Sequence, residues 1–115
     1  MAIFAYSSIL KTEDYWEIGG ESQLFGRSVK WPKYHKQPDT YLGHYWYEGQ
    51  LDNGGIHHNN GVINRMFYLL SDGGIGSNDH GSHYNVTGIS IRHAADILYR
   101  TVTNYLTSNT NFKDL

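Results

Sequence analysis

Apolar residues in the last third of the chain follow the spacing of a helix. They recur three or four positions apart, which aligns them on one face: Ile91, Ala94, Ala95, Leu98, Val102, Tyr105 and Leu106. Ser90 is suited to the N-cap position, because its hydroxyl can accept a hydrogen bond from a free backbone N–H of the first turn. Polar residues 107–109 end the pattern. The sequence therefore predicts a long amphipathic helix, and its apolar face must pack against other elements.

Two other segments have helical character. Residues 61–71 predict a largely buried helix, because their apolar side chains cover most of its circumference: Val62, Ile63, Met66, Phe67, Leu69 and Leu70. Asp72, Gly73 and Gly74 should end this helix, since glycine tolerates the left-handed backbone found at helix ends. A weaker helical pattern covers residues 3–10.

Most of the remaining chain lies in two long segments without periodicity. Residues 19–49 contain both prolines and many tryptophan and tyrosine side chains, and residues 73–88 are rich in glycine, asparagine, serine and histidine. Loops of this length inside a compact domain are usually functional. The chain has 115 residues, which fits one domain. We predict a mainly α fold with about three helices and long irregular loops.

Charge and composition argue against several partners. A net charge of −2 gives no electrostatic reason to expect nucleic acid or an anionic membrane. No segment approaches the roughly 18–20 consecutive apolar residues of a membrane span. The first residues lack the basic region and the cleavage site of a signal peptide. Cysteine is absent, which excludes disulfides and thiol chemistry within the chain.

Seven histidines raise the question of a metal site. His80 and His83 lie three positions apart beside Asp79, but this spacing is not specific and no His-Glu-x-x-His motif occurs. We favour the interpretation that these two are solvated loop histidines, and predict no metal site within the chain.

A second histidine follows an acidic residue and two glycines, in the segment from Asp52 to His57. The glycines permit a sharp turn, which can bring the Asp52 carboxylate onto one nitrogen of the His57 imidazole. A histidine oriented in this way is suited to donate a hydrogen bond to a developing oxyanion. The residues alone also allow a simple turn before a helix capped by Asn59 or Asn60.

This segment closely resembles the C-terminal domain of the thermolysin-like zinc metallopeptidases. The resemblance covers nearly the whole chain in the order of the family's motifs: Asp52–His57 with residues 59–64 and 67–70, upstream residues 16–19, 26–28 and 38–41, and downstream residues 86–89, 99–100 and 105–107.

The resemblance implies roles for four residues. His57 matches the histidine that hydrogen-bonds the oxyanion of the tetrahedral intermediate, and Asp52 matches the residue that orients it. Arg27 matches the arginine that binds the substrate carbonyl on the leaving-group side, and Ile18 matches a wall of the pocket for large apolar side chains. Peptide is thus the implied substrate, and the family implies an extracellular or secreted location.

The chain also departs from that family. It lacks His-Glu-x-x-His and begins after the position of the third zinc ligand, so we expect zinc in full-length members and not on this chain alone. The resemblance allows calcium, although several ligand positions are replaced, with Ser7 and Tyr15 at two of them. Gly26 stands where a larger apolar residue is common, which suggests a wider specificity pocket.

These departures lead to two functional hypotheses. In the first, residues 1–115 are a partial peptidase domain, truncated at both ends, that binds substrate and stabilises the oxyanion but is inactive alone. The alternative is a non-catalytic binding or interaction module that kept this fold. A third, weaker hypothesis assigns sugar binding to Trp31 and Trp46. Because the family's final helices are missing after Leu115, we also expect the last predicted helix to expose an apolar face and promote homo-oligomers.

Overall fold

The computed structural model describes residues 15–19 and 26–113. Its helices are α1 (Asp52–Asn59), α2 (Gly61–Asp72) and α3 (Ile91–Asn104), with a 3₁₀ helix at Pro32–His35. Two antiparallel pairs of short strands join β1 (Glu17–Ile18) to β2 (Arg27–Ser28), and β3 (Gly74–Ser77) to β4 (His83–Val86). The mainly α architecture with long loops agrees with the prediction. The helix predicted at residues 3–10 lies outside the described residues.

The ends of α2 and α3 follow the chemistry of their sequences. The Ser90 hydroxyl accepts a hydrogen bond from the His93 N–H at 3.4 Å, as predicted for an N-cap. Gly73 ends α2 with a φ of +78°, and its N–H donates to the Leu69 carbonyl at 2.8 Å. All residues of α2 except Met66 and Asp72 are buried or half-buried, in line with the expected burial of this helix. Met66 is 42% exposed beside a groove between α2 and α3.

The core lies where α2 and α3 meet the first strand pair. Five apolar residues are buried there: Trp16, Val29, Phe67, Ala94 and Ala95. The Trp16 ring contacts Phe67 and Tyr68 edge to face, at centroid distances of 6.1 and 5.1 Å. The Trp16 indole N–H donates to Asp72 at 3.1 Å, so the polar end of the ring is also satisfied. This core fixes the first strand pair against α2.

The β3–β4 hairpin replaces the irregular excursion expected for residues 73–88. Its register pairs Gly74 with Val86 and Ser77 with His83. The hairpin was missed because β3 alternates glycine with exposed side chains and therefore carries no apolar stripe. Among the described residues, no helix is long and apolar enough to cross a membrane.

Candidate catalytic site

A left-handed turn opens α1. Four consecutive residues have positive φ angles, which are 53° at Asp52, 49° at Asn53, 86° at Gly54 and 82° at Gly55. The N–H groups of both glycines donate to the Leu51 carbonyl, at 3.1 and 3.0 Å. Aspartate, asparagine and glycine are the residues that tolerate this backbone, so the sequence fits the turn residue by residue. Right-handed helix begins only after Gly55.

The turn brings the Asp52 carboxylate onto His57. Oδ1 lies 2.6 Å from the ring nitrogen Nδ1, and Oδ2 accepts from the backbone N–H of His57 at 2.8 Å. The carboxylate thus fixes both the backbone and the ring of the same residue. Asn60 stands at the N-cap position of α2, as the alternative interpretation had it, but its side chain makes no capping hydrogen bond.

The hydrogen bonds determine the state of the pair. The hydrogen bond with the His57 ring, and secondly that from the His57 N–H, lower the pKa of Asp52 below its usual value. Asp52 is therefore ionised at neutral pH and can only accept, so Nδ1 carries the shared proton. In the neutral ring Nε2 is then unprotonated and can only accept a hydrogen bond. It becomes a donor when the ring is doubly protonated. Only the imidazolium can donate from Nε2 while Asp52 holds Nδ1.

Arg27 and Ile18 face each other across the first strand pair. Ile18 of β1 is in register with Arg27 of β2, and it also packs against the core. The Ser28 hydroxyl donates to Glu17 at 2.6 Å, which reinforces the pairing. Arg27 Nη1 donates to Asn60 Oδ1 at 2.7 Å, immediately after α1. The positive charge of Arg27 contributes to the lowered pKa of Asp52, after the hydrogen bonds of His57.

The structure brings Asp52 and His57 into contact and links Arg27 to the end of α1 through Asn60. Ile18 lies opposite Arg27 but is half-buried against the core. The His57 side chain is 72% exposed, so its outer nitrogen is accessible to a ligand. Two cavities, of about 390 and 790 Å³, lie elsewhere against α2, and neither is lined by any of the four residues. The described residues thus present an exposed imidazole with its orienting carboxylate, and a guanidinium close to them.

The other histidines considered for metal binding have different partners. His80 Nε2 lies 2.7 Å from the Tyr41 carbonyl, and His83 Nδ1 lies 2.6 Å from the Ser77 hydroxyl. Asp79 pairs with Lys33 rather than with either histidine. Within residues 15–19 and 26–113 there is no group of three or more histidine, aspartate or glutamate side chains able to hold a metal. Of the two replaced calcium positions, Tyr15 packs edge to face on Trp16, and Ser7 lies outside the described residues.

The two tryptophans of the sugar-binding hypothesis differ in environment. Trp46 packs edge to face on Tyr41 and Phe112, at centroid distances of 5.0 and 5.3 Å. Trp31 is 41% exposed, but the Arg65 guanidinium lies 4.5 Å from its ring centroid. The two rings have separate packing partners, which does not favour a shared stacking platform.

Three residues near the site were not identified from sequence. The Asn60 side chain accepts a hydrogen bond from Arg27. The Asn59 side chain is hydrogen-bonded to the Tyr47 backbone and to the Gly54 carbonyl in the turn. These contacts join residues that sequence spacing does not relate. The one available signal was two adjacent asparagines at the junction of two helical segments, where an amide must serve either as a cap or in a tertiary contact.

Comparison with known proteins gives a family match over the whole chain. The family model described as thermolysin metallopeptidase, alpha-helical domain, matches residues 1–115. Bacillolysin of Bacillus caldolyticus and thermolysin of Alicyclobacillus acidocaldarius subsp. acidocaldarius are each 40% identical over 108 residues, covering 87% of this chain and 18% of the relative. Bacillolysin of Brevibacillus brevis is 40% identical over 105 residues, covering 90% and 18%. The chain spans less than a fifth of the length of these relatives.

Proposed function

Because the chain belongs to the thermolysin metallopeptidases, in their alpha-helical domain, we propose that it forms the substrate-binding and oxyanion-stabilising wall of a peptide-hydrolysing site. The observation that carries this proposal is the exposed His57 ring held at Nδ1 by Asp52. In this role, Nε2 of the imidazolium donates to the oxygen of a carbonyl that is becoming tetrahedral. Asp52 keeps the ring oriented and compensates its positive charge.

Arg27 and Ile18 would bind the peptide on the leaving-group side. One N–H of the Arg27 guanidinium is bonded to Asn60. Its other N–H groups are arranged in a plane that suits a peptide carbonyl. Ile18 lies directly across the strand pair and offers an apolar wall. Gly26, which is buried just before β2, leaves room for a larger side chain in that pocket.

The metal chemistry of this family has to come from outside the described residues. The thermolysin family depends in general on zinc and calcium, but the described part of the chain offers no group of three ligands. The 115 residues also contain no His-Glu-x-x-His. We therefore expect the purified chain alone not to hydrolyse peptides, and we assign it by family membership to an extracellular protein.

A chimera tests the proposal. This chain replaces the matching 108 residues of the Bacillus caldolyticus bacillolysin, and peptide hydrolysis is measured with and without His57→Ala. Loss of one oxyanion donor is expected to lower kcat about 10²–10³-fold with little change in KM, because the donor acts on the transition state. His93→Ala is the matched control, since this histidine lies on the exposed surface of α3.

The outcomes separate the two functional hypotheses. An active chimera whose kcat falls in His57→Ala and not in His93→Ala supports the catalytic role. A His57→Ala chimera that folds, as judged by circular dichroism, and hydrolyses peptide as well as the parent chimera would contradict it. A folded chimera that binds peptide but does not hydrolyse it would favour the non-catalytic binding module.

A further inference from the structure

Asn59 is buried beneath the turn that carries Asp52. Its side chain is among the least accessible polar groups described, with the residue 4% exposed. Oδ1 accepts from the Tyr47 N–H at 3.0 Å, while Nδ2 donates to the Tyr47 carbonyl at 2.9 Å and to the Gly54 carbonyl at 3.3 Å. The carboxamide therefore links the middle of the left-handed turn to the segment before α1.

Tyr47 supports the same turn with its side chain. Its phenolic oxygen accepts from the Leu51 N–H at 3.1 Å, just before the turn starts. Its ring lies against Gly55, where a Cβ atom would come within 2.6 Å of the ring carbon Cδ1. Tyr47 therefore contacts the turn at both ends, through a hydrogen bond with Leu51 and ring packing on Gly55. The Asn59 side chain in turn holds the Tyr47 backbone by two hydrogen bonds.

We propose that Asn59, acting with Tyr47, is a positioning residue of the candidate site, which holds the turn so that the Asp52 carboxylate meets His57. The proposal rests on the proposed function for its catalytic meaning. The argument is geometric, because the Asp52 and His57 side chains are exposed. Besides the Asp52 carboxylate, which accepts from the His57 N–H, the described groups that hold the backbone of the turn belong to Leu51, Tyr47 and Asn59. Because the backbone between Asp52 and His57 is already fixed, this exposed pair loses less conformational entropy on forming its hydrogen bond than it would on a flexible backbone.

The neighbouring Asn60 acts on the other half of the site. Its Oδ1 accepts from Arg27 Nη1 at 2.7 Å, and no hydrogen bond joins its side chain to the turn in the part of the chain described. Adjacent amides at the α1–α2 junction therefore serve the His57 side and the Arg27 side separately. Asn60→Ala is consequently a matched control for Asn59→Ala, since both remove one amide at one junction.

The first experiment uses the 115-residue chain and ¹³C-carboxyl NMR. Asn59→Ala is expected to raise the titration midpoint of Asp52 toward the ordinary value of 3.8, because its hydrogen bonds with His57 lengthen. Asn60→Ala should shift the midpoint less, since Arg27 is the smallest contributor to it. A folded Asn59→Ala chain with an unchanged Asp52 midpoint would overturn the proposal. An equal shift in the two variants would also overturn it.

A milder variant covers the case in which Asn59→Ala does not fold. Tyr47→Phe keeps the ring under Gly55 and removes only the acceptor for the Leu51 N–H. It should raise the Asp52 midpoint in the same direction by a smaller amount, and a folded Tyr47→Phe chain without any shift would count against the proposal.

The catalytic consequence is measured in the chimera described above. Asn59→Ala should lower kcat with KM unchanged, whereas Asn60→Ala should raise KM through Arg27. If His57→Ala leaves activity intact, the proposed function fails, and the Asp52 titration still decides whether Asn59 positions the pair. If His57→Ala is inactive and Asn59→Ala keeps full kcat, the positioning role alone fails.

Discussion

Gly54 and Gly55 share a left-handed backbone but have different surroundings. A Cβ atom at Gly54 would meet nothing within 4 Å, whereas at Gly55 it would lie 2.6 Å from Tyr47 Cδ1. Gly54→Ala should therefore lower the free energy of unfolding by about 1–2 kcal/mol from backbone strain alone. Gly55→Ala should lower it further, because Tyr47 must move. Urea unfolding of the two variants measures the difference, and equal losses would contradict the role assigned to Tyr47.

Single residues of the site differ in how far the sequence could predict them. The contact between Asp52 and His57 follows from two glycines at a short spacing, which is local information. Arg27 and Ile18 could be selected only through the family resemblance, because their position opposite each other depends on a strand pair of two residues each. The bonds of Asn59 to Tyr47 span 12 positions and depend on how the loop folds back, so no local pattern encodes them.

Among the elements, the helices were predictable and the hairpin was not. The apolar repeat of α3 and the glycine after α2 are properties of consecutive residues, and both appear in the structure. The β3–β4 hairpin has no such pattern, and a network of side chains ties its turn to the segment around Thr40. Asp79 accepts from Lys33 and from the His44 N–H, and its own N–H donates to the Thr40 hydroxyl.

The stability contributed by the hydrogen bonds of Asp79, which we call the hairpin anchor, should decrease in acid. Desolvation raises the pKa of Asp79, but the hydrogen bonds from Lys33 and the His44 N–H outweigh it, so the pKa is lowered. A lowered carboxyl pKa contributes stability above the unfolded value of 3.8, which is lost as the pH falls through the folded pKa. Asp79→Asn should reduce the unfolding free energy at pH 7 by about 1 kcal/mol, allowing for solvent screening.

The same variant should lose part of its pH dependence below pH 4. Thermal unfolding at pH 7 and at pH 3 measures this, and the gap between the two melting temperatures should be smaller in Asp79→Asn than in the parent chain. Asp96→Asn is the control, because Asp96 is exposed on α3 and none of the ion pairs found in the described residues includes it. A parent-like gap in Asp79→Asn would contradict the anchor.

At the scale of the whole molecule, the described residues form a small core and leave one apolar surface exposed. The hydrophobic core cluster of the described residues has five buried members, while the groove of about 790 Å³ between α2 and α3 is lined mainly by apolar side chains. Val102 of α3 is 54% exposed, and Tyr105, just after the helix, is 71% exposed. This exposure agrees with the expectation, drawn from the family resemblance, that part of the apolar face of α3 is uncovered.

An open face of this kind favours association with a second copy of the chain, and the net charge of −2 opposes it only weakly. We therefore expect the 115-residue chain to dimerise, and Val102→Lys to shift it toward monomer by placing a charge in the groove. Thr103→Lys adds the same charge at the next position, outside the groove lining, and should leave the dimer intact. Light scattering over a concentration series measures the oligomeric state of the parent chain and of both variants. A parent chain that stays monomeric at every concentration would contradict the expected dimer.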